Sequence, residues 1–152
     1  MTTEGGRRRI TKLSAANKMI ETIYKFLLDC PVFADAKLNI NYLAPETRSF
    51  SVDTLAAAPI VRKYSDGAAL RQYCFAVSCR DVYDADKDGN CSTARLFEQL
   101  AAWIEEQNSL GIYPDIQDGE PVKIEVTQSA AIENTAGFSA RTSMQLRFLF
   151  IR

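Results

Sequence analysis

The sequence predicts an α+β fold: a two-layer sandwich in which two helices pack on one face of a mainly antiparallel sheet. Two stretches carry apolar residues at the three- and four-residue spacing of amphipathic helices. Other stretches alternate apolar and polar residues, which is typical of strands with one buried face. The Asp66-Gly67 pair between two such runs predicts a hairpin, because Gly supplies the positive φ of a tight turn without steric cost.

The first predicted element is a helix that ends before Pro31, because proline disfavours a helical conformation in the residue before it. Thr11 and Ser14 are both candidate N-caps. The expected apolar stripe consists of Ile10, Leu13, Ile20, Ile23, Tyr24, Leu27 and Leu28. Residues 1–9 are polar and contain three consecutive arginines, so we expect a disordered tail followed by a single domain over residues 10–152.

Three strands are expected next, although the irregular pattern between Pro31 and Thr47 predicts no element. Phe50 and Val52 alternate with polar residues, and a second run from Ile60 leads into the hairpin turn. The strand after the turn has one apolar face, formed by Tyr73, Phe75, Val77 and Cys79, and one mixed face, formed by Gln72, Cys74, Ala76 and Ser78. This pattern favours a sheet covered on one side.

A second helix is predicted from about Ser92 to Gln107, and its buried stripe consists of Leu96, Phe97, Leu100, Trp103 and Ile104. Gly111 and Pro114 follow its end. Two strands complete the chain, 122–126 and 139–151. In the last one, an apolar face of Met144, Leu146, Phe148 and Phe150 lies opposite Arg141, Ser143, Gln145 and Arg147.

The composition limits the classes of function. The chain has 152 residues, of which 47% are hydrophobic and 24% charged, so it can bury a core without disulfides or metal. Its net charge of −1 does not supply the clustered positive charge that holds a phosphate backbone, and no apolar run is long enough to cross a bilayer. We therefore expect no specific nucleic-acid partner and no membrane partner. Four cysteines without Cys-x-x-Cys spacing are expected to be reduced core residues: Cys30, Cys74, Cys79 and Cys91.

The sequence contains no histidine, which removes the commonest general base and metal ligand and every Ser-His or Cys-His nucleophile pair. Glu105 and Glu106 point about 100° apart on a helix and do not converge on one substrate. We interpret them as solvated surface residues, with a charged contact to a partner as the alternative. No glycine-rich phosphate loop is present, because Gly5-Gly6 is not followed by Lys-Ser or Lys-Thr. We therefore expect a protein that is not an enzyme and needs no cofactor.

The segment from Asp84 to Asn90 matches the first half of a calcium-binding EF-hand loop, with Gly89 at the sixth position. The twelfth position, where that loop needs a bidentate glutamate, is Arg95, whose charge repels calcium. The segment also follows a strand and not a helix. We therefore predict a polar turn without bound metal, in which Asn90 or Ser92 caps the next helix, and weak adventitious calcium binding is the alternative.

Several landmarks occur in order between Ile60 and Ile151. They are Lys63-Tyr64-Ser65-Asp66-Gly67, Leu70-Arg71-Gln72-Tyr73 with Phe75, Phe97, Trp103-Ile104-Glu105-Glu106-Gln107-Asn108 with Pro114, and the aromatic closing strand. Through them the chain resembles the tail terminators and related minor structural proteins that complete the tails of long-tailed bacteriophages. None of the landmarks is a chemical motif, so the resemblance points to a structural part.

The resemblance implies a subunit that assembles into a ring, expected to be a hexamer, at the head-proximal end of a phage tail. Such a ring ends polymerisation of the tail tube, so the implied partners are further copies of the chain, the major tail tube protein and head–tail connector proteins. The implied location is the host cytoplasm during assembly and then the virion tail or neck. Another phage neck or minor capsid protein is the alternative, and a small ligand-binding or enzymatic α+β domain is the lesser one.

Three places in the sequence are candidates for subunit contacts, because exposed turns and an uncovered sheet face are available to neighbours. The first is the hairpin turn, the second is the acidic loop after the long strand, and the third is the polar face of the last strand. The candidate interface residues are Asp66, Gly67, Asp84, Asp86, Asp88, Arg141 and Arg147. Head-to-tail contacts form a ring when the rotation between neighbours closes.

Overall fold

A computed structural model of the chain describes residues 19–45, 49–82, 87–136 and 139–152. In chain order the elements are α1 (19–27), a 3-10 helix (Pro31–Phe33), β1 (Lys37–Ile40), β2 (Ser49–Thr54), β3 (Ile60–Lys63), β4 (Ala69–Val82), α2 (Lys87–Leu110), β5 (Glu120–Ala136) and β6 (Ser139–Ile151). The strands form one sheet in the order β1-β2-β4-β6-β5, and β3 pairs with β4 next to β2. Every pair is antiparallel except β1 with β2, so the predicted α+β fold with a mainly antiparallel sheet is confirmed.

One face of the sheet is apolar and carries the core. Phe50, Phe75 and Phe148 are buried there almost completely, and burial of each stabilises the fold by about 1.5–3 kcal/mol relative to an exposed side chain. The register places them on one face, because Phe75 pairs with Leu146 and Phe148 pairs with Tyr73. The predicted alternation of the two long strands β4 and β6 is therefore confirmed.

Both helices cover this apolar face, as predicted. In α1, Phe26 meets Trp103 of α2 with 5.0 Å between ring centroids. Nearer the start of α2, the ring of Phe97 lies 6.4 Å from that of Phe50 of β2, measured between centroids. The same cluster includes Ile104, which is buried on α2. The helices thus share one core with the sheet, which is the two-layer arrangement that amphipathic elements favour.

The end of α1 differs from the prediction at one residue. Leu28, placed in the apolar stripe, lies just after the helix and is 46% exposed. Phe26, which was not in the predicted stripe, is buried instead. The turn between α1 and the 3-10 helix redirects the chain there, since the N–H of Cys30 donates to the carbonyl of Leu27 at 2.9 Å.

β1 was not predicted, although Lys37-Leu38-Asn39-Ile40 alternates polar and apolar residues as a strand does. Leu38 is buried on it and Asn39 pairs with Ser51 of β2. The pairing is parallel, so the chain must return along the length of the strand between the end of β1 and the start of β2. The first part of this connection, residues 41–45, lies beside the face opposite the helices.

The hairpin between β3 and β4 is confirmed. The N–H of Gly67 donates to the carbonyl of Tyr64 at 3.2 Å, and the N–H of Tyr64 donates to Ala68 at 2.9 Å. Gly67 has a φ of +92°, the left-handed conformation for which glycine was expected. The carboxylate of Asp66 accepts the N–H of Ala68 at 3.0 Å and closes the turn.

The predicted boundaries of α2 and the loop before it are wrong. The helix begins at Lys87 and not near Ser92, so Gly89, Asn90 and Ser92 lie within it and neither Asn90 nor Ser92 is its cap. A cooperative helix that packs on a core can include a glycine, which costs only about 1 kcal/mol. Gly89 therefore does not form the sharp bend of the predicted polar turn.

α2 also ends later than predicted, at Leu110. Gly111, with a φ of +71°, donates its N–H to Asn108, and Ile112 donates its N–H to Gln107. This pair of hydrogen bonds is a Schellman motif, in which glycine adopts the left-handed conformation after the last helical residue.

The predicted tail at residues 1–9 and the candidate caps Thr11 and Ser14 lie outside the described residues. So do Ile10 and Leu13 of the predicted stripe. Among the described residues, neither helix combines the length and the apolar character needed to span a membrane.

Candidate assembly surface

The sheet face opposite the helices is polar, and part of it is covered by the segment 41–45. The backbone N–H of Tyr42 donates to the hydroxyl of Ser51 at 3.2 Å, and the guanidinium of Arg80 donates to the carbonyl of Ala44 at 3.1 Å. Ser51 and Ser78 are consequently inaccessible to solvent although they lie on the side away from the helices. The rest of this face has no helix over it among the described residues.

Arg141 is at the centre of a polar network on this face. One of its terminal nitrogens lies 3.5 Å from a carboxylate oxygen of Asp53 and 3.4 Å from the hydroxyl of Ser78. Its Nε lies 3.5 Å from a carboxylate oxygen of Glu133. Ser78 and Ser143 share a hydrogen bond of 2.7 Å beneath the guanidinium. The predicted interface residue Arg141 is therefore engaged within its own subunit.

Arg147 is held in a similar way near the other end of β6. Its Nε donates to Glu125 at 2.9 Å, a second guanidinium nitrogen contacts the same carboxylate oxygen, and a third contact reaches Gln72 at 3.4 Å. The hydrogen bond from Arg147 is the main cause of a lowered pKa for the carboxyl of Glu125, with burial acting in the opposite direction and Lys123 adding to the lowering. These contacts hold the guanidinium of Arg147 beside Glu125, its cross-strand neighbour on β5.

The outer edge of β5 is partly closed by α2. The side-chain amide of Asn108 donates to the carbonyl of Ile124 at 2.5 Å and accepts the N–H of Ile124 at 3.0 Å. Asn108 thus occupies both outward backbone groups of this residue, as a neighbouring strand would. Near the start of β5, Pro121 has no N–H to offer, and the strand contains several bulges. These features are typical of protected sheet edges.

The edge on the other side of the sheet is more open. β3 pairs with β4 through Lys63 and Ala69, and no described strand pairs with its outer side. Val61 is 46% exposed and Tyr64 is 38% exposed along this edge, and Arg62 and Lys63 are exposed as well.

The described members of the predicted interface do not share one surface. Asp66 and Gly67 lie at the turn next to the edge strand β3, whereas Arg141 and Arg147 lie on the polar face, about 20 Å apart along β6. Asp88 lies in the first turn of α2, and not in a loop as predicted. Asp84 and Asp86 lie outside the described residues. Asn108 and the exposed edge of β3 were not singled out as site residues, because isolated polar or strand residues carry no sequence signal of an edge.

Two further titratable groups have shifted pKa values, and each has a structural cause. Burial raises the pKa of the Cys30 thiol, while a hydrogen bond from the backbone of Val32 lowers it in part. Burial likewise raises the pKa of Tyr73, whose hydroxyl shares a 2.6 Å hydrogen bond with Thr54. Among the residues that the structure describes, no group of three or more acidic or cysteine side chains could hold a metal ion.

No family model matches the chain, and no curated protein matches its sequence.

Proposed function

We propose that the chain is a structural subunit of a phage virion: a tail terminator that forms a homo-oligomeric ring at the head-proximal end of the tail, ends polymerisation of the tube and joins the head connector. The observation that carries the proposal is the one-sided cover of the sheet. Both helices pack on one face, while part of the opposite face and the outer side of β3 carry no described element and can contact neighbouring subunits.

The landmarks of the resemblance support a common fold. Trp103 packs on Phe26 and joins the two helices. Asn108 connects α2 to β5, and Gly67 forms the turn of the β3–β4 hairpin. These three residues thus help to position elements of the sandwich, and the function inferred from the resemblance is that of a part and not of a catalyst.

The test is to combine solution and virion measurements. Light scattering over a concentration series should give a mass that rises from the monomer toward a closed ring, and electron microscopy should show rings at high concentration or on tail tips. A phage that lacks the gene should produce tails of abnormal length. A protein that is monomeric at every concentration and present as one copy per tail would contradict the ring. Normal tail lengths without the gene would move the protein to the neck or capsid.

A further inference from the structure

Two exposed surfaces of opposite charge lie at the same end of the sheet. The first, which we call the basic edge, consists of Val61, Arg62, Lys63 and Tyr64 on and just after β3. The second, which we call the acidic edge, consists of Ile112, Asp115, Glu120, Pro121 and Val122 at and before the start of β5. The pairing of Lys63 with Ala69, and of Leu70 and Glu120 with Ile151, places both at this end.

The charges of both edges are available to a partner. Arg62 and Lys63 form no ion pair with a described residue, and the same is true of Asp115 and Glu120. Other charges near the acidic edge are already matched, because Arg152 lies 3.6 Å from the carboxylate of Asp118. The unmatched groups therefore give one edge a positive and the other a negative potential.

Both edges also expose apolar side chains of the kind that interfaces bury. Val61 and Tyr64 are 46% and 38% exposed on the basic edge. Ile112 and Val122 are 49% and 37% exposed on the acidic edge. Ile112, Asp115 and Pro121 line one open cleft of about 430 Å³ there, into which a side chain of a neighbour can fit.

We infer that the basic edge of one copy docks against the acidic edge of the next, and that this is the head-to-tail contact of the ring. The inference rests on the proposed function and names its subunit interface. Three strand spacings separate the edges, about 14 Å. A contact between two basic edges would bring Arg62 and Lys63 of one copy against the same residues of another and would repel. Unlike edges attract, and such a contact is heterologous, as a ring requires.

The contact is made by side chains and not by a sheet that continues from one subunit to the next. Pro121 offers no N–H, and both outward groups of Ile124 are occupied by Asn108. β5 therefore has few backbone groups left at this end for pairing with β3 of a neighbour.

Charge reversal tests the inference. One variant carries Arg62→Glu with Lys63→Glu, so that both of its edges are acidic, and the other carries Asp115→Lys with Glu120→Lys, so that both are basic. Each alone should associate at least about tenfold more weakly than the wild type by light scattering at low salt. An equimolar mixture should recover association, because acidic and basic copies can alternate around a ring with an even number of subunits.

A control at distant sites changes the net charge by the same amount as Arg62→Glu with Lys63→Glu. Lys37→Glu with Arg95→Glu alters one exposed residue on β1 and one on α2, and it should leave association unchanged. If a reversed chain does not fold by circular dichroism, neutral variants replace it: Arg62→Gln with Lys63→Gln, and Asp115→Asn with Glu120→Gln. Each of these should weaken association, and their mixture should not restore it.

The outcomes separate the two proposals. If the wild type forms rings and the edge variants associate as well as the control, the inferred interface is wrong and the ring stands. The inferred interface is also wrong if neither reversed variant associates alone and their equimolar mixture does not associate either. If the wild type forms no oligomer in solution or on tails, the ring is wrong and the interface falls with it.

Discussion

Asn108 joins two elements through a single side chain and shows how one residue can shape an edge of the sheet. Its amide makes both hydrogen bonds with Ile124 that a neighbouring strand would otherwise make. In the same way, Arg147 and Glu125 pair across two neighbouring strands of the polar face. Asn108 and Arg147 are therefore each expected to stabilise the fold through one local contact, which a substitution can test.

Replacing Asn108 with Ala should lower the free energy of unfolding by about 1–3 kcal/mol, because the backbone groups of Ile124 lose their partners in a partly buried place. Asn108→Asp should also destabilise the fold, since a carboxylate accepts the N–H but cannot donate to the carbonyl. The neighbouring exposed residue supplies the control, and Ser109→Ala should change the free energy of unfolding by less than about 0.5 kcal/mol. Urea denaturation measures all three. Equal stabilities of Asn108→Ala and Ser109→Ala would show that the connection between α2 and β5 adds nothing.

The Glu125–Arg147 pair should make stability depend on pH. The pKa of Glu125 is lower in the folded state than in the unfolded state, so its contribution is present above the unfolded pKa of about 4.3 and is lost as pH falls through the folded pKa. Arg147→Met should therefore cost about 1 kcal/mol at pH 7 and distinctly less near pH 3. Lys123→Met removes the more exposed partner of the same carboxylate and should cost less at pH 7. Urea denaturation at both pH values is the measurement, and a pH-independent cost for Arg147→Met would contradict the assignment.

At the scale of elements, the ends of the strands depend on two glycines with positive φ. Gly67 forms the tip of the β3–β4 hairpin, where a Cβ would meet no atom of a described residue within 4 Å. Gly119 precedes β5 with a φ of +110°, and a Cβ there would collide with the backbone carbonyl of Ile151 in β6. The positive φ favours glycine at both positions, and at Gly119 the carbonyl of Ile151 also leaves no space for a Cβ.

Gly67→Ala should therefore cost about 1–2 kcal/mol, the strain of a left-handed residue with a side chain. Gly119→Ala should cost more, because the last residues of β6 must shift as well. Since Ile151 pairs with both Leu70 and Glu120, this shift should disturb the sheet end that carries the two charged edges. Thermal unfolding compares the variants, and hydrogen exchange at β6 locates the change. Equal losses of stability in Gly67→Ala and Gly119→Ala would mean that the end of β6 can move without an energetic cost.

At the scale of the whole molecule, the distribution of charge matters more than its total. The net charge is −1, yet Arg62 and Lys63 give β3 a basic edge, and Asp115 and Glu120 give the start of β5 an acidic edge. Among the described residues, the helices cover the apolar face of the sheet, and at the β5 edge Asn108 of α2 occupies the backbone groups of Ile124. If the proposed ring is correct, the subunit should stay dispersed when dilute and associate when copies are concentrated on a tail tip.

If these edges hold the ring together, association should weaken with salt. The Debye length falls from about 10 Å at 0.1 M to about 3 Å at 1 M, so exposed charge pairs are then largely screened. Light scattering of the wild type at these two salt concentrations should show a clear loss of oligomer. The variant Lys37→Glu with Arg95→Glu should show the same loss, since it keeps both edges. An oligomer strengthened by salt would indicate an interface dominated by apolar burial instead.

Local and periodic features were predictable from the sequence. The hairpin at Asp66-Gly67 follows from the need for positive φ, and the apolar faces of β4 and β6 follow from a period of two residues. The second amphipathic stripe predicted α2 and its buried residues. These features depend on neighbours in the chain, so the sequence alone was sufficient for the α+β fold.

Only the tertiary structure decided the features that join distant residues. β1 pairs in parallel with β2, a partner that the local alternation of its four residues does not identify. α2 begins at Lys87 because packing of the helix outweighs the local preference of Gly89 for a turn. Arg141 and Arg147 were predicted as contacts to a neighbouring subunit, and the strand register pairs them with Asp53 and Glu125 of the same chain. The opposed edges likewise depend on strand order, which no local pattern encodes, because pairing partners in a sheet are chosen by the burial of the whole chain.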